Sequence, residues 1–169
     1  MSALRGLAFR TRTLPGTGLA VTALVRFAPR LVPMSLLARS ADFVAYAHPD
    51  PIAEGHVLLL PRRFVATIWR ARSSRRRFGA LFDAAISLAC ELGSTEIFVN
   101  AGDRQDGRVL HVHGVPEPSR ERETTAIGGV DELYDLLAPH EDAAAFTLYV
   151  RLGDDGLSFA VDSVNVVST

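Results

Sequence analysis

The stretch AAFTLYVRLGDDGLSFAVDSVNVV constrains the fold of this chain more than any other. Two runs of alternating apolar and polar residues flank Gly153-Asp154-Asp155-Gly156. Alternation with a period of two turns one face of each run toward a core, and the short Gly-bounded turn joins the runs as a hairpin. A hairpin pairs its strands antiparallel, so an all-parallel sheet is excluded.

The other elements agree. LLARSADFVAYA (36–47) reads as two short strands around Ser40-Ala41-Asp42. HPDPIAEG (48–55), with two prolines and a closing glycine, reads as a loop, and HVLLLP (56–61) as a buried strand ended by Pro61. Across residues 74–92, Phe78, Leu81, Phe82, Ala85, Ile86, Ala89 and Leu92 form one stripe at helical spacing. Ser73 or Ser74 can cap that helix and Gly93 stops it. TEIFVN (95–100) and RVLHVHGV (108–115) read as strands, PEPSRERETT as an exposed linker, and VDELYDLLA (130–138) as a short helix. Strands and helices mixed without regular alternation predict an α+β domain with an antiparallel sheet.

A length of 169 residues suits one domain. Its expected parts are an apolar, Arg-rich segment (1–32), a core (33–120) and an extension of the same domain (121–169). The net charge of −1 gives no global basic field, so no nucleic-acid partner is expected. All 18 basic residues are Arg, which excludes a lysine Schiff base or a phosphate-loop lysine. Cys90, the only cysteine, allows no intrachain disulfide and no cysteine-based zinc site. Its place in AISLACELG predicts a buried bystander, and a reducing, cytoplasmic home is expected.

The first 41 residues hold six Arg and no acid. GLAVTALVRFAPRLVPMSLL within them carries Arg26, Arg30 and two prolines, so no transmembrane span is expected. An amphipathic helix packed on the domain, or resting on a membrane or partner, fits better; such a start also resembles an organelle transit peptide. Arg75-Arg76-Arg77 reads as a solvated first turn, at the end of the helix dipole that disfavours cations, with an anion or acidic partner as the alternative.

His111 and His113 sit one residue apart in VLHVHGV, so a regular strand would put both on one face with Val109 and Val115. Two imidazoles about 7 Å apart at the backbone can act on one small ligand, and His56 opens another buried strand. Three readings stand open: satisfied core histidines, phosphate chemistry, or a metal site. His111, His113 and Glu117 show the His-x-His-x3-Glu spacing that resembles the first cupin motif, which would suit zinc, iron or manganese.

Three segments in order resemble the histidine-triad (HIT) family: FVAYAHPDPIAEGHVLLLPRRF, FVNAG and VLHVHGV. The likeness covers about residues 33–120. It implies a HIT-like antiparallel sheet with a long helix, to which this chain adds a C-terminal helix and β-hairpin. Members attack phosphorus with the middle histidine of the triad. That position matches His113, the first triad histidine matches His111, and the supporting histidine matches His56. Asn100 and Gly102 match the loop that approaches the phosphate, and Arg120 a basic position after the triad. Three positions depart from the pattern. Val115 stands for the third histidine, and Gly107-Arg108 replaces a Gln-Ser, so that Arg108 could supply a guanidinium fork to phosphate. The acid that grips ribose aligns with His48, with Asp50 two residues on.

The resemblance implies a hydrolase or transferase acting on a phosphoanhydride, phosphoester or phosphoramidate of a nucleotide-type substrate. It implies a homodimer and no metal or other cofactor. The alternatives are a catalytically inactive nucleotide- or phosphate-binding module, which Val115 supports, and a metal-dependent His-x-His enzyme.

Overall fold

The structure, a computed structural model, describes residues 16–117, 122–141 and 143–164. Eight strands form one sheet: β1 (Leu36–Arg39), β2 (Phe43–Ala47), β3 (Val57–Pro61), β4 (Glu96–Gly102), β5 (Val112–Val115), β6 (Thr125–Ile127), β7 (Ala145–Gly153) and β8 (Gly156–Val164). Their order is β1-β2-β3-β5-β4-β7-β8-β6, and every pairing is antiparallel. Among the described residues four α-helices accompany the sheet: α1 (Thr17–Phe27), α2 (Ile68–Ala71), α3 (Arg75–Glu91) and α4 (Val130–Leu136). This is the antiparallel α+β architecture expected, with the long helix, the C-terminal helix and the terminal hairpin in place.

Strand alternation decides what each face carries. Phe43, Ala45, Val57, Leu59, Ile97, Val99, Ala101, Phe146, Leu148 and Val150 form one core with Phe78, Phe82, Ala85, Leu88 and Ala89 of α3. Burying each large side chain contributes about 1.5–3 kcal/mol, so this face holds most of the fold's apolar stabilisation. Ser74 caps α3 by accepting from the Arg77 N–H, and Gly93 at φ +79° ends it. On the other face, Val44, Tyr46 and Leu60 meet Val25 of α1 and Val32 in the segment after it. The Tyr46 hydroxyl donates to the Pro29 carbonyl at 3.0 Å and pins the end of that segment.

Several expectations need correction. The histidine strand begins at Val112, not Arg108, because the Leu110 N–H leaves the sheet to donate to the Val65 carbonyl at 2.7 Å. His111 therefore precedes the strand instead of sharing its face by strict alternation. Thr125, assigned to the linker, opens β6. Cys90 is exposed, because Leu88 and Ala89 take the inward positions of its helical turn. Arg75 finds its acidic partner within the chain: it donates to Asp135 of α4 and to the Asp131 carbonyl. That pairing accounts for a cation at the positive end of α3.

Candidate functional site

Four of the five histidines converge. In the β4–β5 register Phe98 lies opposite His113, and their rings stack at 4.3 Å within 1° of parallel. His56, one residue before β3, sits 5.2 Å from His113 between ring centres. The loop from 48 to 56 closes when the His48 N–H donates to the His56 carbonyl at 3.0 Å, and Gly55 takes φ +79° to make the turn. His48 then stacks on His56 at 4.1 Å, and His111 meets the edge of His113 at 5.0 Å.

Burial sets the charge of this cluster. His56 and His113 are 4% and 7% exposed. Desolvation, reinforced by His111, His56 and His48, pushes the His113 pKa down to about 2. Desolvation and His48 push His56 to about 4. His48 is also lowered by burial, opposed by its hydrogen bond to the Asp50 backbone and by the charges of Asp50 and Asp106. These three imidazoles are neutral at pH 7.

Neutrality and hydrogen bonding together assign the protons. The Ile52 N–H donates to His56 Nδ1 at 3.3 Å, so the proton of His56 is on Nε2. That atom lies 3.0 Å from His113 Nδ1 and donates to it. His113 must then carry its own proton on Nε2, a buried atom without a hydrogen-bond partner among the described residues. The resting site thus offers a desolvated N–H donor, which suits an anionic oxygen. His111 carries a proton on Nδ1, which lies 3.0 Å from the Val109 carbonyl, an atom that can only accept.

The phosphate-loop expectations fall into two places. Asn100 lies two residues beyond Phe98 on the same face of β4, and its Oδ1 accepts from the Thr147 hydroxyl at 2.8 Å. Gly102 has a backbone reason for its identity. At φ +61°, a Cβ there would come within 2.1 Å of the Ala144 carbonyl oxygen. Gly102 and Arg108 line a cavity of about 480 Å³ together with Gly18, Phe64, Thr67 and Gln105; no histidine lines it. Asp50 is exposed and reaches the cluster through its backbone N–H, which donates to His48 Nδ1 at 3.1 Å. Arg120 lies outside the described residues.

The cupin-like grouping does not form. Glu117 is exposed beyond the end of β5. The donor atoms that gather are one each from His48, His56 and His113, within 4.8 Å of one another. Tetrahedral zinc would draw its nitrogen ligands to about 3.3 Å apart, so these three could hold such an ion only by giving up the His56–His113 hydrogen bond.

Sequence reasoning missed the polar half of this face. Val115, in the third-histidine position, is fully buried and lies opposite Glu96. Glu96 is 1% exposed, with Arg122 and Arg151 nitrogens at 3.6 and 3.7 Å from its oxygens. The Arg122 guanidinium also covers the Tyr149 ring at 3.5 Å, and Tyr149 neighbours Phe98. The signal was present in TEIFVN: alternation puts Glu96, Phe98 and Asn100 on one face, and an acid within a strand asks for cations.

With fold and site in view, known structures can be compared. The fold is similar to that of a DUF4931 family protein. That protein, from Bacillus cereus ATCC 10987, aligns with a TM-score of 0.52 at 13% identity over 79% of this chain and 87% of its own. Looser likenesses include a histidine triad protein from Clostridium difficile, with a TM-score of 0.44 at 14% identity over 60% of this chain and 94% of its own. Yeast Ap4A phosphorylase Apa2, solved in complex with AMP, aligns with a TM-score of 0.48 at 14% identity, over 86% of this chain and 64% of its own. No protein-family model and no curated protein sequence matches the chain.

Proposed function

We propose that this chain is a HIT-like hydrolase or transferase that attacks the phosphorus of a nucleotide-type substrate through His113. One observation carries the reading: a neutral, buried imidazole that holds His56 at Nδ1 and leaves Nε2 without a hydrogen-bond partner among the described residues. In the resting tautomer that Nε2–H binds a phosphoryl oxygen. For attack the proton must sit on Nδ1, so the His56 Nε2 proton passes to His113 Nδ1 while solvent carries the His113 Nε2 proton to His56 Nδ1, which releases the Ile52 N–H. That bond, at 3.3 Å, is longer than the His56–His113 bond at 3.0 Å. The freed Nε2 pair then forms the N–P bond as the bond from phosphorus to the leaving oxygen or nitrogen breaks. The leaving group takes the electron pair and draws its proton from solvent. Water or phosphate attacks the same phosphorus next and restores His113.

His111 and His48 complete the wall of imidazoles, Asn100 extends the substrate side, and Gly102 and Arg108 stand in the cavity of about 480 Å³ that no histidine lines. The homodimer expected from the resemblance would join at β1 or β6, because β4 and β5 are paired along both edges. Val115, fully apolar and buried, favours a second reading as a binding module that has lost turnover.

The test is incubation with dinucleoside polyphosphates, nucleotide sugars, nucleoside phosphoramidates and a CDP-lipid, with products followed by phosphorus NMR. Turnover by the wild type that His113→Ala and His113→Gln both lack supports the enzyme. Thermal stabilisation by one ligand without turnover selects the binding module, and turnover retained in both variants refutes the assignment.

A further inference from the structure

Helix α1 is inverted for a helix packed on a domain. Its inward side carries Gly18, Thr22 and Val25, which are small or of medium size. Its outward side carries Leu19 at 60% exposure, Leu24 at 40% and Phe27 at 76%, and Leu31 in the following turn is 72% exposed. At 100° per residue, Leu19, Ala20, Ala23, Leu24 and Phe27 span one continuous apolar arc opposite the buried side. The close seat of the buried side explains its composition. A Cβ on Gly18 would lie 2.7 Å from the Arg108 carbonyl oxygen and 2.8 Å from the Phe64 ring.

Charge narrows what can cover the outward face. Arg26 borders the apolar arc, Arg30 follows it, and both are exposed. No acid occurs before Asp42, and the 15 residues ahead of Gly16 add Arg5, Arg10 and Arg12 among Leu4, Leu7 and Phe9. A second copy seated face to face here would bring Arg26 and Arg30 against their like charges, with no carboxylate in the helix or the turn after it to answer them. An anionic bilayer answers both features, because acyl chains accept the apolar arc while the headgroups meet the arginines. Among the described residues no helix is long and apolar enough to cross a membrane, so the association is peripheral.

We infer that the face of α1 and the turn after it docks on anionic phospholipid bilayers, with Leu19, Leu24, Phe27 and Leu31 inserted and Arg26 and Arg30 at the headgroups. This is independent of the chemistry at His113.

Sedimentation of the full chain with vesicles tests it, using phosphatidylcholine alone against an equal mixture with phosphatidylglycerol. The expected result is pelleting with the mixed vesicles only, weakened by salt. Leu24→Glu/Phe27→Glu should weaken partitioning by about tenfold or more, and Arg26→Glu/Arg30→Glu should remove the preference for anionic lipid. Both pairs are exposed, and unchanged thermal melting would show that the fold persists. Three results would overturn the inference: no pelleting at low salt, equal pelleting of the Leu24→Glu/Phe27→Glu protein, or a lipid-free dimer that this double substitution dissociates.

Discussion

The two faces of the sheet obey different rules. Toward α3 the strands present Val, Leu, Ile, Ala and Phe, closed by helix residues of matching size. Toward the other side, the same strands β4 and β5 present Glu96, Phe98, Asn100 and His113. Period-two alternation lets one backbone serve both faces, so neighbouring residues differ completely in role. Val99 is core and Asn100 holds a polar network; Val112 is core and His113 is the candidate nucleophile. A face that stabilises can be read by hydrophobicity, whereas a face that reacts must be read by which polar groups meet.

The sharpest way to break this comparison is to separate stability from chemistry. Once a substrate is found, His113→Gln should lower turnover on the order of a thousandfold or more, while Phe82→Ala should leave turnover per folded molecule close to wild type. Conversely, Phe82→Ala should cost about 3–5 kcal/mol in urea unfolding, since Phe82 is 1% exposed and stacks on Phe78 at 4.4 Å. If either variant moved both quantities together, the division between the faces would fail.

Next comes pH. The folded-state pKa values of about 4 for His56 and about 2 for His113 lie below the ordinary histidine value. Unfolding therefore takes up protons as pH falls below about 6.5. Stability is fully present above that pH and is lost on the way down, by on the order of a few kcal/mol between pH 7 and 4. Urea unfolding at both ends of that window checks the sign, and His56→Gln should flatten the slope. A finer measurement is nitrogen NMR of the imidazoles at pH 7, which should show His113 protonated at Nε2 and His111 at Nδ1. The smallest effect belongs to the helix face. Ser74→Ala should cost about 1 kcal/mol through the lost cap of α3, with no change in histidine titration.

The helix face was legible in advance because its signals are local. The stripe from Phe78 to Leu92, the Ser74 cap, Gly93 and the Gly153–Gly156 turn each occupy a few consecutive residues. Even there, the inward Leu88 escaped the stripe, and Cys90 was set inside when it faces out. On the histidine face the pattern VLHVHGV drew attention to His111 and His113, but where their strand begins depended on Val65, distant in sequence. Glu96, Arg122, Arg151 and Tyr149 come from three separate segments, so the acid within TEIFVN asks for cations without saying which ones meet it.

The sequence by itself determined the antiparallel class, the long helix, the terminal hairpin and the candidate imidazoles, since periodicity, caps and turns act over a few residues. Only the tertiary structure decided that His48, His56, His111 and His113 form one cluster, and which nitrogen of each holds the proton. Burial and the contact between His56 and His113 set the protons of that pair, and both exist only once distant strands have come together.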